Sequence, residues 1–281
     1  MSSPRLSQVH HGPYTFDVID GGPADGTPVV LLHGFPQRAT SWNAVSEHLH
    51  AAGLRTYALD QRGYSPGARP DSRFGYKVTD LVADVKALID EIGTPVHLTG
   101  HDWGSAVAWA VAANHPESIR SLTAVSVAHP GAFFKSMYSS SQILKSSYML
   151  LFQLPWLPEW LLSRRNGPGE KLLRAAGMTR PMIETYRAEI VDAGALKGGL
   201  GYYRSVPVSV GGLGRRVSVP TTYVWSDGDT ALVRRGAELT PQFVTGPYEL
   251  EVYEGASHWI PDERPADLAA SIVKRVESVS S

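Results

Sequence analysis

The sequence predicts an α/β fold, a mostly parallel, doubly wound sheet interrupted once by a helical insertion. Three observations carry this. Short apolar runs rich in Val, Leu and Ile alternate with helical stretches at the spacing of strand–helix–strand units. That rhythm breaks between Gly131 and about Arg216 and then resumes. The third is a sharp turn, Gly100-His101-Asp102-Trp103-Gly104-Ser105, set between the run Pro95-Val96-His97-Leu98-Thr99 and an Ala-rich helical stretch. Its small residues let the backbone reverse at the carboxyl end of a strand and present the central aspartate.

Taken in order, Met1 to His11 is polar and reads as a tail. Tyr14 to Ile19 alternates apolar and polar residues, as a strand near the sheet edge does. Asp20 to Pro28, rich in Gly, Pro and Asp, is a turn. Val29 to Leu32 is continuously apolar, the mark of a strand buried on both faces, and it ends in His33-Gly34-Phe35-Pro36. A helix follows from about Ser41 to Ala52, then a strand from Arg55 to Leu59 and a polar turn, Asp60 to Ser65. Next come a helix from Val78 to Ile92, the strand and turn described above, a helix from Ser105 to His115, and a strand from Ser121 to Val127 that leads to His129-Pro130.

The segment after Gly131 is helical in character, with Pro and Gly interruptions and many Tyr, Trp and Leu residues. Lying between two strands of one sheet, it belongs over the strand ends as a cap. Alternation returns with a strand from Thr221 to Trp225, a helix from about Leu232, a strand from Tyr248 to Tyr253 and an amphipathic helix from Pro265 to Val276. The expected organisation is a core of residues 1–130 and 217–281, with a helical cap of residues 131–216 inserted after the sixth strand.

Composition narrows the function. The 281 residues suit one large α/β domain or a domain with an insertion. With 26 Lys and Arg against 27 Asp and Glu, and no long run of either sign, nucleic acid is not an expected partner. The absence of Cys removes disulfides, thiolate metal sites and thiol nucleophiles. Met1 to His11 lacks the apolar core of a signal peptide. The longest apolar stretch, Tyr148 to Leu162, is broken by Pro155 and Pro158, so no membrane span is expected. A cytoplasmic location follows as the expectation, with homo-oligomerisation left open.

The side chain at the centre of the turn decides the chemistry. A Ser there needs a neighbouring base before it can attack. A carboxylate with a pKa near ~4 is already ionised and displaces a leaving group from an sp3 carbon unaided. The product is an ester between Asp102 and substrate, which water must then cleave with the help of a base and an oxyanion hole. The base expected is His258 in Gly255-Ala256-Ser257-His258-Trp259, just after a late strand. His10, His11, His48, His50 and His115 read as tail or helix positions, and His33 and His129 as loop-shaping residues. The acid that orients His258 is Asp229 or Asp227 of Trp225-Ser226-Asp227-Gly228-Asp229. Asp227 beside Gly228 suits a plain turn, and Asp229 at a helix start suits an N-cap. Asp229 is favoured, because the strand before His129 provides no rival carboxylate, and the order Asp…Asp…His, which supports His258 as the base, follows a known triad order. The N–H groups of Trp103 and Phe35 are the oxyanion donors that such a fold supplies. No metal or organic cofactor is called for.

Together, His33-Gly-Phe-Pro, Asp60-Gln-Arg-Gly-Tyr-Ser, Gly100-His-Asp-Trp-Gly-Ser and Gly-x-Ser-His258-Trp resemble the α/β-hydrolase-fold epoxide hydrolases over nearly the whole chain. The resemblance implies that fold, and conversion of a small apolar epoxide and water to a vicinal diol. It also implies a pair of cap tyrosines as donors to the ring oxygen. Gly201-Tyr202-Tyr203-Arg204 resembles one tyrosine motif of the family and nominates Tyr203. The segment Ser146 to Leu154 resembles the other and nominates Tyr148, with Tyr138 in reserve. His33, Phe35, Trp103 and Trp259 are the residues expected to touch substrate. The Gly100-His-Asp-Trp-Gly turn, a nucleophile elbow, also occurs in haloalkane dehalogenases, where Trp103 with Trp156 or Trp160 would hold departing halide. That family's usual Asn is replaced here by Phe35, and fluoroacetate dehalogenases typically carry Arg in place of Trp103. A silent member of the fold acting as a ligand receptor is the third reading, against which the complete Asp102, Asp229 and His258 set argues.

Overall fold

The computed structural model describes residues 4–209 and 214–279. Its strands are β1 (Gln8–His11), β2 (Tyr14–Gly21), β3 (Thr27–Leu32), β4 (Leu54–Leu59), β5 (Val96–His101), β6 (Ile119–Val125), β7 (Thr221–Ser226) and β8 (Tyr248–Tyr253). They form one sheet in the order β1-β2-β4-β3-β5-β6-β7-β8. From β4 to β8 along that order every pairing is parallel; β1 with β2 and β2 with β4 are antiparallel.

The continuous apolar run of β3 shows why the sheet is wound on both sides. Val30 and Leu32 join one core cluster and Val29 and Leu31 the other, as alternation along a strand requires. Helices Val78–Ile92 and Trp103–Asn114 cover the first face, and helices Asn43–Ala51 and Pro265–Glu277 the second. The last of them buries an apolar stripe of Leu268, Ala269, Ile272 and Val276.

The structure corrects three local readings. Gln8–His11 is a strand rather than part of a tail: Val9 pairs with Phe16, and His11 Nδ1 meets the Asp84 carboxylate at 2.7 Å. Four residues with two His carry too little alternation to be recognised alone. Counting this strand makes Ile119–Val125 the sixth, so the helical insertion does follow the sixth strand. The turn predicted over Asp20 to Pro28 is shorter, because pairing carries β2 to Gly21 and starts β3 at Thr27. The helix expected from about Leu232 begins at Arg234 instead. Ahead of it, the Asp229 side chain accepts the Ala231 and Leu232 N–H groups at 2.7 and 3.0 Å.

Between β6 and β7 the chain forms a series of short helices, from Pro130–Ser139 to Leu196–Ser205. Ion pairs of Arg187 with Glu170 (2.7 Å) and Arg204 with Glu159 (2.6 Å) tie these helices together. Among the described residues no helix is long and apolar enough to cross a membrane.

Candidate active site

Asp102 sits at the corner between β5 and the helix Trp103–Asn114, with φ 51° and ψ −119°. A non-glycine residue holds that conformation only where its surroundings enforce it, and here two glycines do. A Cβ on Gly100 would lie 2.2 Å from the Gly104 carbonyl oxygen, and one on Gly104 would lie 2.1 Å from the Leu32 carbonyl oxygen. The loop after β3 closes on the same corner. A Cβ on Gly34 would fall 2.3 Å from the Asp102 Cβ, and the Phe35 N–H donates to Asp102 Oδ1 at 2.7 Å. Trp103 is the first residue of its helix, so its N–H has no partner within that helix. Both expected oxyanion donors therefore flank the Asp102 carboxylate in sequence or in space.

His258 arrives from the loop after β8, and Asp229 from the loop after β7. His258 Nδ1 meets Asp229 Oδ2 at 2.7 Å, and the other oxygen of Asp229 accepts the Ala231 and Leu232 N–H groups, so the carboxylate is fixed at both ends. On its far side, His258 Nε2 lies 3.6 Å from Asp102 Oδ2, within ion-pair range but too long for a hydrogen bond. Asp227, the alternative acid, accepts the Gly255 N–H at 2.7 Å and makes a turn instead.

A cavity of about 270 Å3 opens beside this group, lined by Asp102, Trp103, His258 and Trp259 and by the insertion's Tyr148 and Tyr203. The two tyrosine rings pack edge to face, 5.9 Å between centroids. Tyr203 also packs edge-on against Phe35 (5.3 Å) and Trp103 (5.1 Å). The remaining wall is mostly apolar, with Phe133, Met149, Leu162 and Leu173 among its residues.

A family model for the alpha/beta hydrolase family matches residues 29–271 of this chain. The chain belongs to the alpha/beta hydrolase family. This hydrolase is 34% identical to the AB hydrolase superfamily protein YfhM of Bacillus subtilis, over 95% of this chain and 96% of that protein. It is 32% identical to Epoxide hydrolase 3 of Xenopus tropicalis, over 90% of this chain and 72% of the relative. A crystal structure of an epoxide hydrolase from Vigna radiata superposes with a TM-score of 0.81 at 26% identity, covering 96% of this chain and 97% of the other. These similarities set the hydrolase among the epoxide hydrolases of its family.

The electrostatics of the hydrolase site follow from burial and mutual distance. Burial opposes charge on His258, yet the carboxylates of Asp229 and Asp102 on either side outweigh it and raise the imidazolium to about 10. Burial likewise pushes both carboxyls up, but His258 and the backbone N–H donors hold Asp102 and Asp229 below the ordinary aspartate value. The resting site is an imidazolium between two carboxylates. Burial raises Tyr148 and Tyr203 well above an ordinary phenol, so both hydroxyls keep their protons.

Of the residues expected in the site, Asp102, Asp229, His258, Tyr203 and Tyr148 converge, and Phe35, Trp103 and Trp259 line the same cavity. His33 does not line it. Its ring is fully buried, with Nε2 accepting the Gln61 N–H at 3.1 Å and Nδ1 3.1 Å from the Gly34 carbonyl oxygen, so it shapes the loop that carries Phe35. Tyr138, Trp156 and Trp160 are exposed and are not among the cavity residues. Two neighbours went unforeseen. His101, pushed down to about 4 by burial, stays neutral and donates from Nε2 to the His258 carbonyl oxygen at 2.9 Å. Lys145 reaches the cavity from the insertion and its Nζ lies 3.4 Å from the Asp229 carbonyl oxygen. His101 stands beside Asp102 in the chain and could have been suspected; nothing local marks Lys145. Among the described residues no group of three or more His, Asp or Glu is arranged to hold a metal ion.

Proposed function

We propose that this hydrolase converts an epoxide and water to a vicinal diol through an ester on Asp102. The observation that carries the reading is the meeting of Tyr148 and Tyr203, both protonated, in the cavity that Asp102 faces. Asp102 attacks a ring carbon through Oδ2, while Oδ1 is held by the Phe35 N–H. The C–O bond that breaks leaves an alkoxide, and the tyrosine hydroxyls hydrogen-bond to it and supply its proton. Esterification removes the negative charge of Asp102 and with it one of the two groups that hold the His258 proton. His258 then gives up its proton, which restores the tyrosine hydroxyl, and the neutral imidazole, oriented by Asp229, takes a proton from water as that water adds to the ester carbonyl. The Phe35 and Trp103 N–H groups receive the oxyanion, a role typically worth ~3 kcal/mol per donor. Collapse of the tetrahedral adduct breaks the ester C–O bond, and the proton of the new Asp102 carboxyl goes to the departing diol oxygen. In this reading residues 131–216 are the cap that brings the tyrosines, and residues 1–130 with 217–281 are the core that brings the triad.

The assay is turnover of an aryl epoxide such as styrene oxide beside a bromoalkane. Diol from the epoxide, with no bromide release, is the expected result. Bromide release without diol would transfer the protein to the haloalkane dehalogenases, with the Trp103 indole as halide donor and the tyrosines as packing. Tight binding without turnover over a broad epoxide panel would mark a receptor.

A further inference from the structure

The insertion carries a surface that the site does not use. Nine of the thirteen large apolar side chains exposed among the described residues fall between Tyr138 and Leu172. Leu144, Leu150 and Trp156 are 73%, 75% and 70% exposed. They belong to a succession of short helices and turns around Gln142–Lys145, Tyr148–Leu151 and Leu157–Ser163. Exposed apolar side chains concentrated in this way mark an interaction surface on a soluble domain.

The charge on the same segment says what kind of surface it meets. Residues 131–176 hold six cations, Lys135, Lys145, Arg164, Arg165, Lys171 and Arg174, and two acids, Glu159 and Glu170. Both acids are taken by Arg204 and Arg187. Among the described residues, none of the six cations lies in an ion pair with a carboxylate. In a chain whose net charge is −1, this one segment is strongly positive. A second copy of the chain placed on it would oppose like charges. An anionic lipid surface would not, and it accepts Trp and Leu side chains flanked by Lys and Arg. The Arg164 guanidinium already lies over the Trp160 ring, 4.2 Å from its centroid, with its charge beside the apolar face.

The cavity opens toward this surface. Lys145 and Leu172 are both exposed and both line the cavity, and Tyr148 and Met149 lie on the short helix between Lys145 and Leu150. We propose that the face from Tyr138 to Leu172 docks on anionic membrane surfaces, so that an apolar substrate dissolved in the bilayer enters the cavity without crossing water. The docking does not depend on which reaction the site performs.

The test uses the full chain and lipid vesicles, either phosphatidylcholine alone or phosphatidylcholine with phosphatidylglycerol, read by cosedimentation. Binding to the anionic vesicles, weakened by added salt, is expected, because each cation near such a surface strengthens attachment about fivefold. Reversing two exposed cations, Arg165→Glu with Lys171→Glu, should lower the partition coefficient by about twentyfold or more. Leu150→Glu with Trp156→Glu should lower it as well, with the melting temperature of each double variant checked against the parent. Failure of the parent to sediment with anionic vesicles overturns the proposal, as does unchanged binding by both double variants. A dimer that Leu150→Glu with Trp156→Glu dissociates, with no vesicle binding, would assign the face to a second copy instead.

Discussion

Replacing Asp102 by Asn keeps the shape of the side chain and removes one of the two charges that hold the His258 proton. At the observed 3.6 Å between Asp102 Oδ2 and His258 Nε2, the lost attraction is about 4 kcal/mol at an effective dielectric of about 20. That corresponds to a roughly thousandfold fall in proton affinity. Asp229, at 2.7 Å, remains in place and keeps the tautomer. The imidazole should therefore titrate near neutrality in Asp102→Asn, against about 10 in the parent. Nitrogen-15 NMR of the imidazole groups over a pH series reads this directly, with His258→Gln identifying the resonance. The Asn side chain also carries the charge of an esterified aspartate, so the variant reports how basic His258 would become in the second half of the proposed reaction. A His258 that titrates in Asp102→Asn as it does in the parent would show that Asp102 does not hold the proton. The proposed coupling between esterification and base strength would then be wrong.

Four further outcomes are expected. His258→Gln should leave alkylation intact and slow hydrolysis by about 10²–10⁴-fold, so that intact-protein mass spectrometry finds substrate bound to Asp102; parent-like turnover would exclude the two-step scheme. Tyr203→Phe or Tyr148→Phe should each lower kcat/KM about 10- to 100-fold by removing a hydrogen bond to developing charge, and the pair together should cost less than the product of the two; unaltered kinetics in both would remove the tyrosines from the chemistry. The His258 imidazolium adds stability that is complete below its unfolded value of about 6.5 and is lost as pH rises through about 10. The melting temperature of the parent should thus fall between pH 7 and 10, and fall less in Asp102→Asn. Gly104→Ala would place a methyl 2.1 Å from the Leu32 carbonyl oxygen and should lower the melting temperature by several degrees or prevent folding.

Those parts of the structure that local sequence dictates were legible in it. The elbow could be read because its glycines and its flanking strand and helix are contiguous. His258 and Asp229 could be read because each follows a strand whose apolar run is plain. Features set by distant partners were less accessible. β1 exists because Val9 finds Phe16 and because His11 reaches Asp84 across the fold, and neither partner is visible from four residues. His33 looked like a site residue because it stands next to Gly34 and Phe35, but its ring is claimed by the Gln61 backbone. The insertion was recognisable as helical, yet which of its side chains face the cavity depends on tertiary packing. Tyr148, Tyr203 and Lys145 share the cavity with Trp259 from the far end of the chain. Resemblance nominated the two tyrosines, and nothing in the sequence nominated the lysine.

The placement of the imidazole on the last strand-end loop bears on how the molecule comes together. Until β8 docks beside β7, Asp102 and Asp229 are two carboxylates with no cation between them, and burying them is costly. Arrival of His258 supplies that cation, while the helix Pro265–Glu277 packs on Asn43–Ala51 from the opening third of the chain. The charges to which the proposed chemistry is assigned therefore also act as a latch on the closing segment. Amide exchange in β8 and its following helix should quicken wherever the imidazolium is lost, by mutation or at high pH, well before the opening strands respond.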